Sequence, residues 1–432
     1  RTFNNPGSPY HDVFVMKLTP SGQIIWSTFI GGPNYDRAYA IEVDAQGFVY
    51  VAGRAGAGFP VTPGAFQTGF QGGASAEIYG EQDGFVCKLR PDGSAIVWCS
   101  YFGNDDPAPI RDIALDGQGN VYVVASAATG TFPASWFTNA FQKTRRGGRD
   151  LVVAKIRSDG SQVEWATYLG GSGDESNTSS IRVGQDGTVY VMATTQSPDM
   201  PVPGGVDRSL GGQSDIYVAG LSNDGTRVLF GTYLGGSNRE FTETHELEIT
   251  PQGNLVLAAK TLSPDFPTTA GVFQPQYGGT GSAGAGAGTN YPGDAFITIL
   301  SGDGSRLIAS TFLGGQEGDG AEGVGVDAQG NIYVAGATFS PDFPTTTDTL
   351  AGNFGGGDVL AAKLSADLRQ LLFSFRLGGR GVDFARTGHA EPGGRFHVGG
   401  ETASSNLPTT PSALRRSPGG SEDAFLLRAV PD

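Results

Sequence analysis

The sequence predicts an all-β chain of repeated four-stranded units, and three observations predict it. Glycine supplies 69 of the 432 residues, about twice the usual share of roughly 7%. Charged residues make up only 16% of the chain, against about 25% in ordinary globular proteins, and no stretch carries the apolar period of an amphipathic helix. The third observation is self-similarity. An Asp followed by an apolar run recurs at Asp12, Asp83, Asp150, Asp215, Asp294, Asp358 and Asp423. A period of roughly 70 residues is that of one supersecondary unit, which cannot bury its faces alone.

Each element of the repeat has a physical reason. The first run, such as DVFVMKL at 12–18, is short and rich in β-branched and aromatic residues, as a strand requires. A turn such as Pro91-Asp92-Gly93 follows, with Gly supplying positive φ. A second strand ends in Gly, as in IIWSTFIGG at 24–32. After a polar loop come Ile41-Glu42-Val43-Asp44, the tight turn Ala45-Gln46-Gly47, and the strand Phe48 to Gly53. The Asp side chain caps that turn. The same pair recurs at 111–125, 179–193, 245–259, 321–336 and 387–400. A long insert then carries Phe59-Pro60, Phe132-Pro133, Met200-Pro201, Phe266-Pro267, Phe343-Pro344 or Leu407-Pro408, read as apolar pegs that pin an extended loop onto the sheet.

Four antiparallel strands per unit, six times in a row, stack as a β-propeller. The units DxFVxKL, WSTYLGG, IxVDxxGNxYVAG and FPTTPGAFQ resemble the SBBP repeat, a bacterial repeat named for a seven-bladed β-propeller, and the likeness runs over essentially the whole chain. The strand order resembles that of NHL-type propellers. By that resemblance IxVD is innermost, GNxYVAG second, DxFVxKL third and the WSTYLGG strand outermost. It implies a large secreted or surface protein of bacteria, with no catalytic residues carried over. Six inner pairs point to six blades, with seven as the alternative. The chain reads as one domain, 1–432, with repeats 12–82, 83–149, 150–214, 215–293, 294–357 and 358–422 and an extra closing strand at 423–429. Twenty-five strands are one more than six four-stranded blades need. The expectation is a ring closed by sharing strands from both termini, the surplus strand being 12–18 or 423–429, which either packs as a fifth strand or lies loose, or pairs with a neighbouring molecule by strand addition.

A net charge of -15 argues against nucleic acid as a partner, since a nucleic-acid binder needs a basic face. No apolar run is long enough to span a bilayer as a helix. The chain begins at Arg1, so it reads as a mature form or a segment of a longer chain. Cys87 and Cys99 lie symmetrically about Gly93 and should face each other across a hairpin. They are either a disulfide, which suits an oxidising compartment, or two buried thiols. The four His form no zinc-binding array, and no Gly-x-Ser-x-Gly elbow supports a hydrolase. Carboxylates gather in the loops before the inner strands: Asp36, Asp105, Asp106, Asp174, Glu175, Glu240, Glu317, Asp319 and Asp383. They are the candidate Ca2+ ligands, with a solvated acidic rim as the alternative. Alternation places Glu42, Ala114, Arg182, Glu248 and Gly325 on the inward side of the inner strands. Phe59, Trp136, Phe266 and Phe343 are the candidate contacts of an insert-bearing ligand face. The reading is a non-catalytic, secreted or cell-surface module for protein interaction or self-association, without a cofactor. The alternatives are a carbohydrate- or peptide-binding propeller and, behind it, a hydrolase using a carboxylate pair.

Overall fold

The computed structural model describes residues 11–74, 79–104, 108–130, 132–279, 293–346 and 355–430. Strands β1 (Val13–Leu18) and β2 (Ile24–Ile30) pair with each other. The next sheet holds β3 (Arg37–Val43), β4 (Val49–Ala55), β6 (Glu81–Leu89) and β7 (Ile96–Phe102) in that order, with the short β5 (Gly73–Ala74) beside β6. Then come β8 (Asp112–Leu115), β9 (Val121–Ala127), β10 (Asp150–Ile156) and β11 (Val163–Leu169), and after them β12 (Glu175–Val183), β13 (Val189–Thr195), β14 (Asp215–Leu221) and β15 (Val228–Leu234). In the following sheet the innermost position is split between β16 (Glu240–Phe241) and β17 (Leu247–Ile249), both on β18 (Leu255–Thr261), which leads to β19 (Asp294–Leu300) and β20 (Leu307–Leu313). β21 (Asp319–Val326), β22 (Ile332–Thr338), β23 (Asp358–Leu364) and β24 (Leu371–Leu377) form the next sheet. The last is β25 (Asp383–Ala390), β26 (Phe396–Thr402) and β27 (Asp423–Ala429). Six sheets therefore have an innermost pair, and the fold is an all-β, six-bladed β-propeller with the strand order that the repeat implied. One short 3-10 turn, Ala134–Phe137, interrupts an insert, and no helix among the described residues is long and apolar enough to cross a membrane.

The chain divides into two compact units. The first holds Arg1–Ala193, Ser197–Pro201 and Gly220–Leu229, and the second Thr194–Gln196, Val202–Ala219 and Phe230–Asp432. Within each, strands of the middle blades are buried on both faces, as in β9, β18 and β22. This is why they read as continuous apolar runs rather than alternating ones.

Consecutive blades of the first unit dock through one recurring clasp. The turn glycines Gly93, Gly160 and Gly225 all have φ between 67° and 69°, and each sits against the indole of the preceding outermost strand: Trp26, Trp98 and Trp165. The indole N–H donates to a carbonyl of the same turn, Trp26 to Pro91 at 3.0 Å, Trp98 to Ser158 at 3.0 Å and Trp165 to Asn223 at 2.9 Å. In the second unit Phe230 lies against Gly304 in the same way. The insert runs along the outer strand, with the Thr62 N–H donating to the Cys99 carbonyl at 2.9 Å and the Tyr101 N–H to that of Gln67 at 3.1 Å. An edge that would otherwise present unpaired backbone is thereby covered.

The chain ends depart from the expectation of a shared blade. The third place in the last sheet is taken by β27, which pairs with β26 from Phe396↔Ala429 to Thr402↔Asp423. Among the described residues β1 pairs with β2 alone. The surplus strand is thus β1, and it forms a hairpin rather than the third strand of a composite blade. DAFLLRA and DVFVMKL share the leading Asp and the Phe of the repeat's third strand, so both runs qualify for that place by sequence.

Candidate functional site

The acidic loop residues fall into two groups. Asp36, Glu175, Glu240, Asp319 and Asp383 are buried, and each closes the Gly-Gly bend that precedes its innermost strand. Asp36 accepts from the N–H of Gly32 at 2.6 Å and of Gly56 at 3.1 Å. Glu175 accepts from Ser197 Oγ at 2.6 Å. Glu240 accepts from Thr261 Oγ1 at 2.6 Å. Asp319 accepts from Gly315 N–H and Ser340 Oγ, both at 2.7 Å. Asp383 accepts from Gly379 N–H and Ser404 Oγ, both at 2.7 Å. Burial pushes Asp36 and Glu240 up to about 7 and Asp319 up to about 6. These carboxylates are internal struts, not a solvated rim, each accepting from at least one protein donor. Asp174 and Glu317 are exposed at the surface, and Asp105 and Asp106 lie outside the described residues. Among the described residues no three His, Cys, Asp or Glu side chains come together to hold a metal ion.

The leading Asp of each repeat plays a matching part for the insert. Asp83 accepts from the N–H groups of Gln71 and Gly72, and Asp215 from those of Gly211 and Gly212. The Asp of the tight turn is a third strut: Asp44, Asp116 and Asp327 each accept two backbone N–H groups and a Tyr hydroxyl.

Of the four rings expected at a ligand face, Phe59, Phe266 and Phe343 are each 3% exposed. Phe59 lies 4.5 Å from Phe85 between ring centroids, and Phe266 lies 4.2 Å from Phe296. Trp136 is half-buried and stacks on Phe102 at 5.5 Å. The peg reading describes them, and their faces are taken by the core. Tyr101 completes the peg, accepting from the Phe59 N–H at 2.9 Å and donating to the Gly56 carbonyl at 3.0 Å. Cys87 and Cys99 face each other in register and form a disulfide, with Cα atoms 4.0 Å apart.

Two polar clusters remain, one in each unit. In the first unit Arg37, Arg54 and Arg111 converge on the ring of Tyr39, at 5.0, 5.3 and 4.2 Å from its centroid, and Arg54 also lies 4.7 Å from the Tyr79 centroid. In the second unit Lys260 is 1% exposed and lies 2.8 Å from Glu322 and 3.8 Å from Glu243, while Arg386 approaches Glu322 at 3.8 Å and Glu401 at 2.6 Å. Glu246 is also fully buried there, and burial holds its carboxyl well above the ordinary range.

Residues 25–60, from β2 to the first Phe-Pro peg, match the SBBP family model, described as a beta-propeller repeat. That segment is an SBBP repeat. The chain is also 21% identical over 392 residues to the regulatory protein FlaEY of Caulobacter vibrioides, covering 89% of this chain and 34% of that protein. The chain thus spans about a third of the length of the curated relative it matches. Among solved structures, a protein of unknown function from Dyadobacter fermentans is 13% identical, with 93% of this chain and 96% of that one covered and a TM-score of 0.44. A quinohemoprotein alcohol dehydrogenase from Comamonas testosteroni is 9% identical, with 96% and 63% covered and a TM-score of 0.40. Likenesses at that level say nothing of what this chain does.

Both polar clusters sit where regular alternation breaks. The register of β3 against β4 shifts between Ala38 and Ala40, that of β21 between Ala321 and Gly323, and that of β25 between Ala385 and Thr387. The residues set out of register are Tyr39, Glu322 and Arg386, each a member of a cluster. A bulge re-aims one side chain without disturbing the rest of the ladder. Alternation alone had pointed to Glu42, Ala114, Arg182, Glu248 and Gly325, and of these Arg182 is paired with Asp112 at 3.0 Å. A second signal was available: the position after the VAG-type run is Arg54, Lys260 and Glu401 in three repeats, but Ser126, Thr194 and Ala337 in the others.

Proposed function

We propose that the chain is a non-catalytic interaction module of a secreted or cell-surface protein, working by self-association through its first hairpin. The observation that carries this reading is the burial of equivalent positions. Phe85 and Cys87 of β6 are fully buried, packed in one cluster with Val13 and Val15 of the hairpin before them. Their counterparts in β1, Phe14 and Met16, are 54% and 37% exposed, beside exposed Ile24 and Ile25 of β2. The repeat builds this face to lie against another blade, so the occupant with matching chemistry is the blade surface of a second copy. An apolar face of this kind is a feature of interaction sites. The repeat carboxylates support the non-catalytic part, because they are buried under backbone and hydroxyl donors. The disulfide supports an oxidising compartment, and the name of the regulatory relative is compatible with a role in binding.

Light scattering of the intact chain over a range of concentrations, beside Phe14→Lys/Ile25→Lys, tests the proposal. A concentration-dependent oligomer that the double variant abolishes, with its circular dichroism unchanged, is the expected result. A monomer at every concentration overturns it.

A further inference from the structure

We infer that the groove between β2 and the turn at Gly93 receives the insert segment 407–415 of a second copy of the chain, a contact that rests on the self-association reading above and gives it a partner segment. Elsewhere in the molecule an insert is held to its outermost strand by a paired clamp. A Thr N–H donates to a carbonyl of that strand, and the N–H of the same strand residue donates back to the Thr Oγ1. The pairs are Thr62 with Cys99 at 2.9 and 3.0 Å, Thr269 with Ser310 at 3.0 and 3.1 Å, and Thr346 with Ser374 at 3.1 and 2.8 Å. Farther along the insert, a second N–H donates to the turn of a later repeat, from Phe66 to the Gly160 carbonyl at 3.0 Å and from Phe273 to that of Leu368 at 2.8 Å.

The strand β2 is an outermost strand in which neither contact is made among the described residues. Ser27 stands opposite Met16 as Cys99 stands opposite Cys87, Ser310 opposite Thr298 and Ser374 opposite Ala362. The same register turns the Ser27 N–H and C=O away from β1. A cavity of about 220 Å3 lies beside them, with Ser27, Ile30, Leu89 and Gly93 in its walls. In the next blade the counterpart of Ile30 is Phe102, and it is covered by the ring of Phe66.

The segment 407–415 is the matching half. Its run Leu407-Pro408-Thr409-Thr410-Pro411-Ser412-Ala413-Leu414 parallels Phe59-Pro60-Val61-Thr62-Pro63-Gly64-Ala65-Phe66, so Thr410 and Leu414 stand where Thr62 and Phe66 do. The turn is already formed, with the Ala413 N–H donating to the Thr410 carbonyl at 3.0 Å as that of Ala65 does to Thr62 at 3.2 Å. Among the described residues the last sheet holds β25, β26 and β27 without an outermost strand. Thr410 is accordingly exposed and Leu414 is 55% exposed. The Thr410 N–H and Oγ1 match the Ser27 carbonyl and N–H, the Leu414 N–H matches the Gly93 carbonyl, and the Leu414 side chain suits the cavity. A segment that keeps its bound shape when free loses little entropy on docking. Groove and insert are different surfaces, so the association is head-to-tail.

The test is sedimentation velocity over a range of concentrations for the parent, Thr410→Ser and Thr410→Val/Leu414→Lys. Self-association about tenfold weaker or more in the double variant, and unchanged in Thr410→Ser, is expected. Thermal midpoints should match that of the parent, because both side chains are exposed. Mixing Thr410→Val/Leu414→Lys with Phe14→Lys/Ile25→Lys should then give a 1:1 pair, since one chain brings an intact hairpin and the other an intact insert. Association of Thr410→Val/Leu414→Lys equal to that of the parent overturns this inference and leaves self-association through the hairpin standing. A mixture that stays monomeric also overturns it. A parent that is monomeric at every concentration overturns both readings.

Discussion

Replacing Lys260 by Met should destabilise the protein strongly, and the loss should shrink as the solution is acidified. At 2.8 Å and an effective dielectric constant of about 20, the Lys260–Glu322 attraction is about 6 kcal/mol. Dehydrating each ion opposes it by several kcal/mol, so the intact pair is nearly neutral overall, while removing one partner costs about 3–5 kcal/mol. Burial raises Glu322 and Lys260 lowers it, with the net shift upward. For Lys260 burial acts downward, but Glu322, Glu243 and Glu246 outweigh it and the group stays charged. Without the cation Glu322 rises further above its unfolded value. A carboxyl whose folded value is raised takes up a proton on folding, so its cost appears as pH climbs above the unfolded value near about 4.3 and disappears below it. Urea unfolding followed by circular dichroism should show a loss of about 3–5 kcal/mol at about pH 8 and a much smaller one at about pH 5. Lys260→Met/Glu322→Leu should recover at least half of it. An unchanged unfolding midpoint at pH 8, or equal losses at both pH values, would refute the reasoning.

Two further outcomes follow from the packing. Cys87→Ala/Cys99→Ala should lower stability by about 3 kcal/mol through the freed loop, with little packing loss, because Ala154 and Ala166 already face each other at the equivalent register of β10 and β11. Dithiothreitol should move the urea midpoint of the parent to that of the variant and leave the variant where it is. Gly93→Ala should cost about 2–4 kcal/mol, since φ is +67° and a Cβ there would come within 2.6 Å of the Trp26 ring. A thermal midpoint within a degree or so of the parent would show that the clasp does not hold the blades.

The fold was legible because its determinants are local. Gly93 and Gly47 mark turns whose conformation few other residues adopt, and the apolar runs between such turns leave only strands to form. The cross-strand meeting of Cys87 and Cys99 followed from the same turn symmetry. The acidic loops were misjudged for a physical reason: a carboxylate before a strand looks the same whether it faces water or folds back on backbone N–H groups. Asp36 and Asp319 fold back onto the N–H groups of Gly32 and Gly315. Both polar clusters were hidden because a bulge adds one residue and shifts phase, so counting from Ile41 and Val43 missed Tyr39. The indole clasp was hidden as well, because Trp26 and Pro91 are 65 residues apart.

The clasp also bears on how such a chain changes length. Trp26, Trp98 and Trp165 each grip only the turn of the repeat that follows. A segment copied from one indole to the next would meet a receiving turn of the same shape as the one it left. Duplication or loss of a whole repeat is then a substitution of like for like at both joints, in the manner of arrays whose stability is a sum of neighbour terms. Copy number in chains of this kind can drift by single blades without any residue at a joint having to change first.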